Sequence, residues 1–244
     1  MPASSLPITP TWSPPSVNYC VFKAPQLKDT PVARRPVIRS RNHNGSVMID
    51  PGDYLIKPAE SNIEHNALLV LMADPDVVKV DCQQGPIAYT DQSGGEHTTV
   101  FDIVVTLKNG SRIAVVVKRA TKARKDDIGE WLQLVTDQLP SWFADSTVLV
   151  TDEHMPSWLV SNARLFHSVR FDVARTVEEE IVRYADELRV PVSIRELASP
   201  FGGTSKVFRA IVRQIFCGNL KQSAPGLISP TTVVQSTRSQ EEAG

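Results

Sequence analysis

The sequence predicts an α/β fold, in which a mixed sheet is flanked by helices, and three observations lead to this class. Two β-branched runs, residues 101–107 and 111–118, flank a Lys-Asn-Gly turn, which is a strong hairpin signal. An apolar helix-like run and two short strand-like runs precede this hairpin. A basic helix and a further strand, residues 146–153, follow it. Helices and strands therefore alternate along the middle of the chain, as they do in α/β domains.

The segments before the hairpin carry local signals for one helix and two strands. Residues 65–72 form an apolar run that is typical of a buried helix. Ser61 and Glu64 have the spacing of a capping box, so Ser61 is the expected N-cap of this helix. Residues 77–81 predict a strand, and another strand is expected to start at residues 87–89.

The loop of the hairpin decides which polar side chains meet at the edge of the sheet. If residues 108–110 form a three-residue loop with Gly110 left-handed, Asp102 lies opposite Val116, and Lys118 lies two residues further on the same face. A two-residue Asn-Gly turn would place Lys118 on the other face. The first register brings a carboxylate and an ammonium group together, which is a geometry suited to a metal ion and a phosphate.

The chain divides into four expected parts. Residues 1–53 are rich in Pro and Ser and are expected to be a basic arm, partly disordered when alone. Residues 54–155 hold the predicted core, and residues 156–222 hold a helical C-terminal module. Residues 223–244 are rich in Ser, Thr and Gln and are expected to be a flexible tail.

Three helical patterns predict the C-terminal module. Residues 177–188 are an amphipathic helix, residues 193–198 a short helix, and residues 206–216 a stronger helix with Gly218 as its stop. Three helices followed by a short extended piece indicate a small module of the winged-helix kind. The alternative is a helical cap on the core that contacts no partner.

Composition limits the classes of function. The 26 basic and 27 acidic residues give a formal net charge of −1, so the chain is not basic throughout. Two segments are basic locally, namely residues 1–49, where Asp29 is the only acid, and residues 118–125. Three scattered cysteines predict neither a disulfide framework nor a zinc site, which fits a reducing cytoplasm. The apolar runs are too short to span a bilayer, and no signal-peptide core is expected.

Four short motifs in a fixed order resemble a known family. They are Ser-x-x-Glu ending at Glu64, Gln-x-Pro starting at Gln84, Phe-Asp-Ile around Asp102, and Val-Lys ending at Lys118. Together they resemble the TnsA-type endonuclease subunit of heteromeric transposons, within the PD-(D/E)xK nuclease superfamily. The resemblance extends over residues 60–153, where the last strand is similar to the end of that family's core. It implies a restriction-endonuclease-like mixed sheet flanked by helices.

The resemblance implies a role for individual residues. Glu64 matches the carboxylate on the helix, Asp102 the metal-binding aspartate and Lys118 the catalytic lysine, while Gln84 matches a structural glutamine near the site. Val116 departs from the pattern, because the superfamily carries Glu or Gln at this position and valine cannot ligate a metal. Phe101, immediately before the aspartate, replaces the family's proline.

The implied chemistry is cleavage of DNA that depends on magnesium or manganese. Asp102 would be the main ligand, the backbone carbonyl of Val117 would add another, and Glu64 would hold the metal directly or through water. Lys118 would orient the attacking water or stabilise the phosphate in the transition state. The basic residues after the hairpin would contact the DNA backbone. These residues are Arg119, Lys122, Arg124 and Lys125.

The resemblance implies a function in transposition. The chain would cleave, at each transposon end, the strand that its partner does not cut. The partner would be a DDE-type transposase, and an ATPase transposition regulator is a possible second partner. The protein would act on DNA in the bacterial cytoplasm.

Two alternatives stay open. One is a degenerate nuclease fold that acts as a DNA-binding or assembly subunit, and the other is a stand-alone defence or repair nuclease. Taken alone, Asp102 and Lys118 are also compatible with exposed strand-end charges, and Glu64 with a capping residue only.

Overall fold

The structure is a computed structural model that describes residues 55–172 and 175–238, with short pieces at 28–29, 32, 39–40, 43–44 and 46–49. Most of the predicted arm, residues 1–53, therefore lies outside the described residues. The short strands β2 (Arg39–Ser40) and β3 (His43–Asn44) pair with each other. A second small sheet has the order β1-β5-β4 and includes β1 (Lys28–Asp29), β4 (Ser46–Ile49) and β5 (Leu55–Ala59).

A four-stranded mixed sheet forms the centre of the molecule. Its strands are β6 (Val77–Thr90), β7 (Glu96–Leu107), β8 (Arg112–Val117) and β9 (Ser146–Val150), in the order β6-β7-β8-β9. The first three strands are antiparallel, and β9 is parallel to β8. This mixed sheet with flanking helices confirms the predicted α/β class.

The register of the hairpin is the one that a three-residue loop requires. Ile103 pairs with Val115, and the Leu107 N–H donates to the Ser111 carbonyl at 2.8 Å. Gly110 has a φ of 87°, the left-handed conformation that glycine adopts without steric strain. The predicted loop is therefore confirmed.

The two strands predicted before the hairpin are one long strand, β6. Its pairing with β7 shifts register between Gln84 and Ile87, and Gln83 has a φ of 52°. Gly85 lies where a Cβ atom would be 2.8 Å from the Thr99 carbonyl oxygen, so a side chain does not fit there. The turn residues of the sequence thus mark a bulge within a strand, because the long neighbour β7 pairs with both halves.

Helices cover both faces of the sheet. α1 (Asn62–Leu71) packs with Val115 and Val117 of β8 in one buried cluster. α2 (Ala120–Lys125) and α3 (Ile128–Thr136) follow β8, and α3 packs with Val116 in a second cluster on the opposite face. Since neighbouring residues of β8 point to different clusters, the sheet separates two core layers.

The C-terminal part begins with α4 (Ser157–Val169), which packs against α1. The elements after α4 are α5 (Arg175–Leu188), β10 (Val192–Ser193), α6 (Ile194–Ala198), α7 (Ser205–Phe216), β11 (Leu220–Gln222) and β12 (Val233–Ser236). The three strands form a small antiparallel sheet in the order β10-β12-β11. The three helices predicted for the C-terminal module are therefore confirmed, within one or two residues at each end.

Part of the predicted flexible tail belongs to this small sheet. β12 pairs with both β10 and β11, and Val234 and Ser236 are buried. At residues 233–236 the structure differs from the predicted flexible tail, because pairing with two strands outweighs a polar composition that favours disorder. Residues 239–244 lie outside the described residues.

α7 connects the C-terminal module to α4. Val212 of α7 is buried in one cluster with Phe166 and Val169 of α4. Arg209 pairs with Asp172 at 2.5 Å, just beyond the end of α4. Val207 and Ile211 point to the other side of α7, into the core of the module. α7 is therefore covered on two sides.

Within the described part of the chain, no helix has the length and apolar character needed to cross a membrane.

Candidate functional site

Glu64 lies in the first turn of α1 and closes a hydrogen-bonded cap. Its Oε2 accepts the Glu60 N–H at 2.8 Å, and its Oε1 accepts the Ser61 hydroxyl at 2.8 Å. Ser61 in turn accepts the Glu64 N–H at 3.3 Å, so the predicted N-cap is confirmed. The capping interaction holds the Glu64 carboxylate in one orientation at the start of the helix.

Asp102 lies near the middle of β7 and connects this strand to the end of β8. Its Oδ2 accepts the backbone N–H of Val117 at 2.8 Å. The same oxygen lies 3.4 Å from Nζ of Lys118. The Asp102 side chain is 13% exposed and that of Lys118 is 32% exposed, so this ion pair is partly shielded from water. The structure thus brings together the aspartate and the lysine of the predicted site.

The Glu64 carboxylate is close enough to Asp102 for the two charges to interact. Burial raises the pKa of Glu64, and the negative charge of Asp102 raises it further. Hydrogen bonds from Glu60 and Ser61 act in the opposite direction, because they stabilise the ionised form. The charge of Asp102 therefore makes the ionised form of Glu64 less favourable.

Val116 does not contribute a polar group to this cluster. Its side chain is 4% exposed and packs with Leu132 and Val135 of α3. Val117, the next residue, belongs to the cluster on the α1 face. A valine at position 116 therefore supports the core between β8 and α3.

Gln84 lies at the bulge of β6 and pairs with Phe101, the residue before Asp102. Its Nε2 donates to the Cys82 carbonyl at 2.7 Å, within its own strand. This contact stabilises the bulged backbone next to the segment that carries Asp102.

Sequence reasoning missed Lys57 of β5, which is fully buried. Its positive charge acts on the neighbouring thiol of Cys82, whose pKa burial nevertheless raises to about 12. Asp81 and Glu64 also act on this thiol by raising its pKa. The charges of Lys57 and Glu64 therefore act on the same buried thiol in opposite directions. The sequence around Lys57 carries no signal for this burial, because a lone lysine is ordinarily exposed.

The predicted DNA-binding residues have different environments. Arg119, Lys122 and Lys125 are exposed on or beside α2. Arg124 is also exposed, but its guanidinium donates to both oxygens of Glu153 at 3.0 and 3.1 Å. The predicted basic surface thus consists of three exposed side chains and a fourth that is held in an ion pair.

The side chains around Asp102 can be compared with the ligands that a divalent cation needs. The described residues include no group of three or more His, Cys, Asp or Glu side chains placed to hold a metal. Mg²⁺ is commonly held by one or two carboxylates and completes its octahedral shell with water and substrate phosphates. Glu64 and Asp102 supply two carboxylates, which is the number of protein ligands that such a site commonly has.

Comparisons with known proteins give no assignment. No protein-family model matches the sequence, and no curated protein matches it either.

Proposed function

We propose that this chain is a metal-dependent DNA endonuclease, and specifically the TnsA-like strand-cleaving subunit of a heteromeric transposase. The observation that carries the proposal is the contact between Asp102 of β7 and Lys118, the residue after β8, with Glu64 of α1 near enough for its charge to interact with that of Asp102. Asp102 contacts Lys118 at 3.4 Å, and its charge acts on Glu64. Two carboxylates can hold a divalent cation, and a nearby ammonium group can stabilise negative charge that develops on a phosphate.

Each side chain has a role in this proposal. Asp102 and Glu64 would hold the cation, Mg²⁺ or Mn²⁺, together with the Val117 carbonyl. When bound, the cation supplies a water of lowered pKa and neutralises phosphate charge. Lys118 would place its ammonium group against the phosphate and stabilise the charge that develops during cleavage. Arg119, Lys122 and Lys125 would contact neighbouring phosphates along the DNA backbone.

The architecture supports the proposal in a second way. α1 and α3 cover opposite faces of a sheet whose first three strands are antiparallel and whose last strand is parallel. We propose that this is a restriction-endonuclease-like core. Along the chain, the C-terminal module has the elements α5, β10, α6, α7, β11 and β12. In its sheet, the three strands lie in the order β10-β12-β11. This arrangement favours the winged-helix class, which we propose for the module.

A nicking assay tests the proposed function. Supercoiled DNA with transposon ends is incubated with the full-length chain and Mg²⁺ or Mn²⁺, with and without a DDE-type transposase. We expect nicking that chelation of the metal and Lys118→Met both abolish. Lys108→Met is the matched control, because Lys108 pairs with Asp76 at 3.5 Å at the far end of the same hairpin. Nicking that survives Lys118→Met would contradict the proposal.

Val116 favours a second candidate function, a catalytically degenerate nuclease fold that binds DNA or assembles the complex. A buried valine stands where the resembled superfamily has a metal ligand. Under this alternative, the chain binds DNA and its partner, yet nicks no DNA under any metal condition. The same assay therefore separates the two candidates.

A further inference from the structure

The turn that follows β9 contacts both ends of α2. Asp152 Oδ1 accepts the N–H of Ala120, the first residue of α2, at 2.7 Å. Glu153 accepts two hydrogen bonds from Arg124, near the other end of the helix. The turn itself is fixed by Thr151, which is buried and whose N–H donates to Nδ1 of His154 at 3.1 Å.

α2 depends on this turn because it has little support of its own. The helix has six residues, and Arg119 at its N-cap position makes no side-chain capping hydrogen bond. Helices of this length are unstable without tertiary contacts. Asp152 therefore supplies, from a distant part of the sequence, the acceptor that an N-cap side chain normally provides.

Lys118 lies directly between β8 and this capped helix. Its backbone N–H donates to the Val150 carbonyl at 3.1 Å, which fixes the chain on the β9 side. Two residues later, the contact between Ala120 and Asp152 fixes the chain again. The Lys118 side chain is 32% exposed, so packing alone constrains it weakly, and its backbone anchors determine where the ammonium group can reach.

We propose that Asp152 is a positioning residue for Lys118, because its hydrogen bond to Ala120 fixes the start of α2 and keeps the Lys118 ammonium group beside Asp102. The importance of this placement for cleavage rests on the proposed function. The placement itself is a property of the fold and can be measured without any cleavage. The pair between Glu153 and Arg124 is exposed and adds little, as exposed ion pairs generally do.

Chemical labelling of lysines tests the placement. The full-length protein is treated with limiting acetic anhydride, and acetylation of Lys118 relative to exposed Lys122 is measured by peptide mass spectrometry. We expect Asp152→Ala to raise the relative labelling of Lys118 by up to about threefold, because its side chain is already 32% exposed and full exposure sets this limit. Asp152→Asn keeps an oxygen acceptor and should stay close to wild type. Asp126→Ala is the matched control, since it removes another exposed acid at the end of α2.

Each outcome of the labelling is decisive. Unchanged labelling in Asp152→Ala overturns the positioning role, and so does an equal increase in Asp126→Ala, which would indicate a general charge effect. An Asn variant that behaves like the Ala variant overturns the hydrogen-bond explanation.

Cleavage adds a separate test when the wild type nicks DNA. Asp152→Ala should then lower kcat about fivefold without raising KM, because Asp152 acts through Lys118 and not through DNA binding. A raised KM with unchanged kcat overturns the proposal. If the wild type nicks no DNA, the proposed function fails, while the labelling result still decides whether Asp152 positions Lys118.

Discussion

Replacing Asp102 separates its part in the fold from its part in the proposed chemistry. The carboxylate accepts the Val117 N–H at 2.8 Å, pairs with Lys118 and repels the charge of Glu64. Asp102→Asn keeps an oxygen acceptor for Val117 but removes the negative charge. Asp102→Ala removes both. The two variants together therefore distinguish the hydrogen bond from the charge.

The expected changes in stability follow from these contacts. In Asp102→Ala the buried Val117 N–H loses its acceptor, which costs about 1–3 kcal/mol. The ion pair with Lys118 contributes roughly 1 kcal/mol or less, because the lysine is about one-third exposed and rehydrates. Relief of the repulsion from Glu64 offsets part of both losses. We expect Asp102→Ala to lower the unfolding free energy by about 1–3 kcal/mol and Asp102→Asn by less than about 1 kcal/mol.

The expected loss of cleavage is much larger than the loss of stability. A metal ion stabilises the transition state by several kcal/mol, and about 1.4 kcal/mol corresponds to a tenfold change in rate. Both Asp102 variants should therefore lose at least roughly a hundredfold in nicking rate, while DNA affinity changes little. Asp76→Asn is the control, because Asp76 forms the equivalent exposed pair with Lys108.

Denaturant unfolding, carboxyl NMR titration and the nicking assay check these expectations. Asp102→Asn should lower the pKa of Glu64, because the charge that raises it is gone. Wild-type nicking rates in Asp102→Asn would refute the role of Asp102 as a metal ligand. An unchanged Glu64 pKa would show that the two carboxylates are not coupled and would remove the basis for a shared cation.

Three further predictions concern the same site and the C-terminal module. Glu64 has a raised pKa and must lose its proton before it can hold a cation, so Mn²⁺ affinity measured by calorimetry should rise with pH above about 4.5, and Glu64→Gln should flatten this rise. Val116→Glu should lower the midpoint of unfolding, because it replaces a buried apolar side chain that packs against α3, on the face of the sheet opposite to α1. Deletion of residues 199–244 should destabilise the remaining chain in thermal unfolding, because Val169 and Phe166 lose their cover. Unchanged Mn²⁺ affinity, or an unchanged melting temperature, would contradict the corresponding prediction.

The parts of the fold that the sequence predicts are those specified by local chemistry. The three-residue loop at Gly110 and the N-cap at Ser61 depend on residues close in sequence, and both are confirmed. α3 was also accessible to this reasoning, since its apolar residues have helical spacing. They are Ile128, Trp131, Leu132 and Val135.

The unpredicted features depend on contacts between distant segments. The break before Pro86 has the composition of a turn between two strands, and only pairing with β7 makes it a bulge. The burial of Lys57 and the ordered pairing of β12 likewise depend on neighbours from other parts of the chain.

At the candidate site, the sequence predicts the pairing of Asp102 with Lys118 through the hairpin register. The approach of Glu64 was expected from the resemblance alone, because no local pattern fixes the position of α1 relative to β7.

The position of α7 restricts how the C-terminal module can contact DNA or a partner. Its amphipathic pattern and its arginines favour a helix with a cationic outer face. In the structure, Arg213 instead pairs with buried Glu178 at 2.5 Å, and Val212 packs against α4. Entry of this helix into a DNA groove would separate both contacts. Breaking a buried ion pair alone costs about 3–5 kcal/mol. Any DNA or partner protein that bound this module would therefore have to contact surfaces other than the middle of α7, or supply enough binding energy to displace α7 from α4.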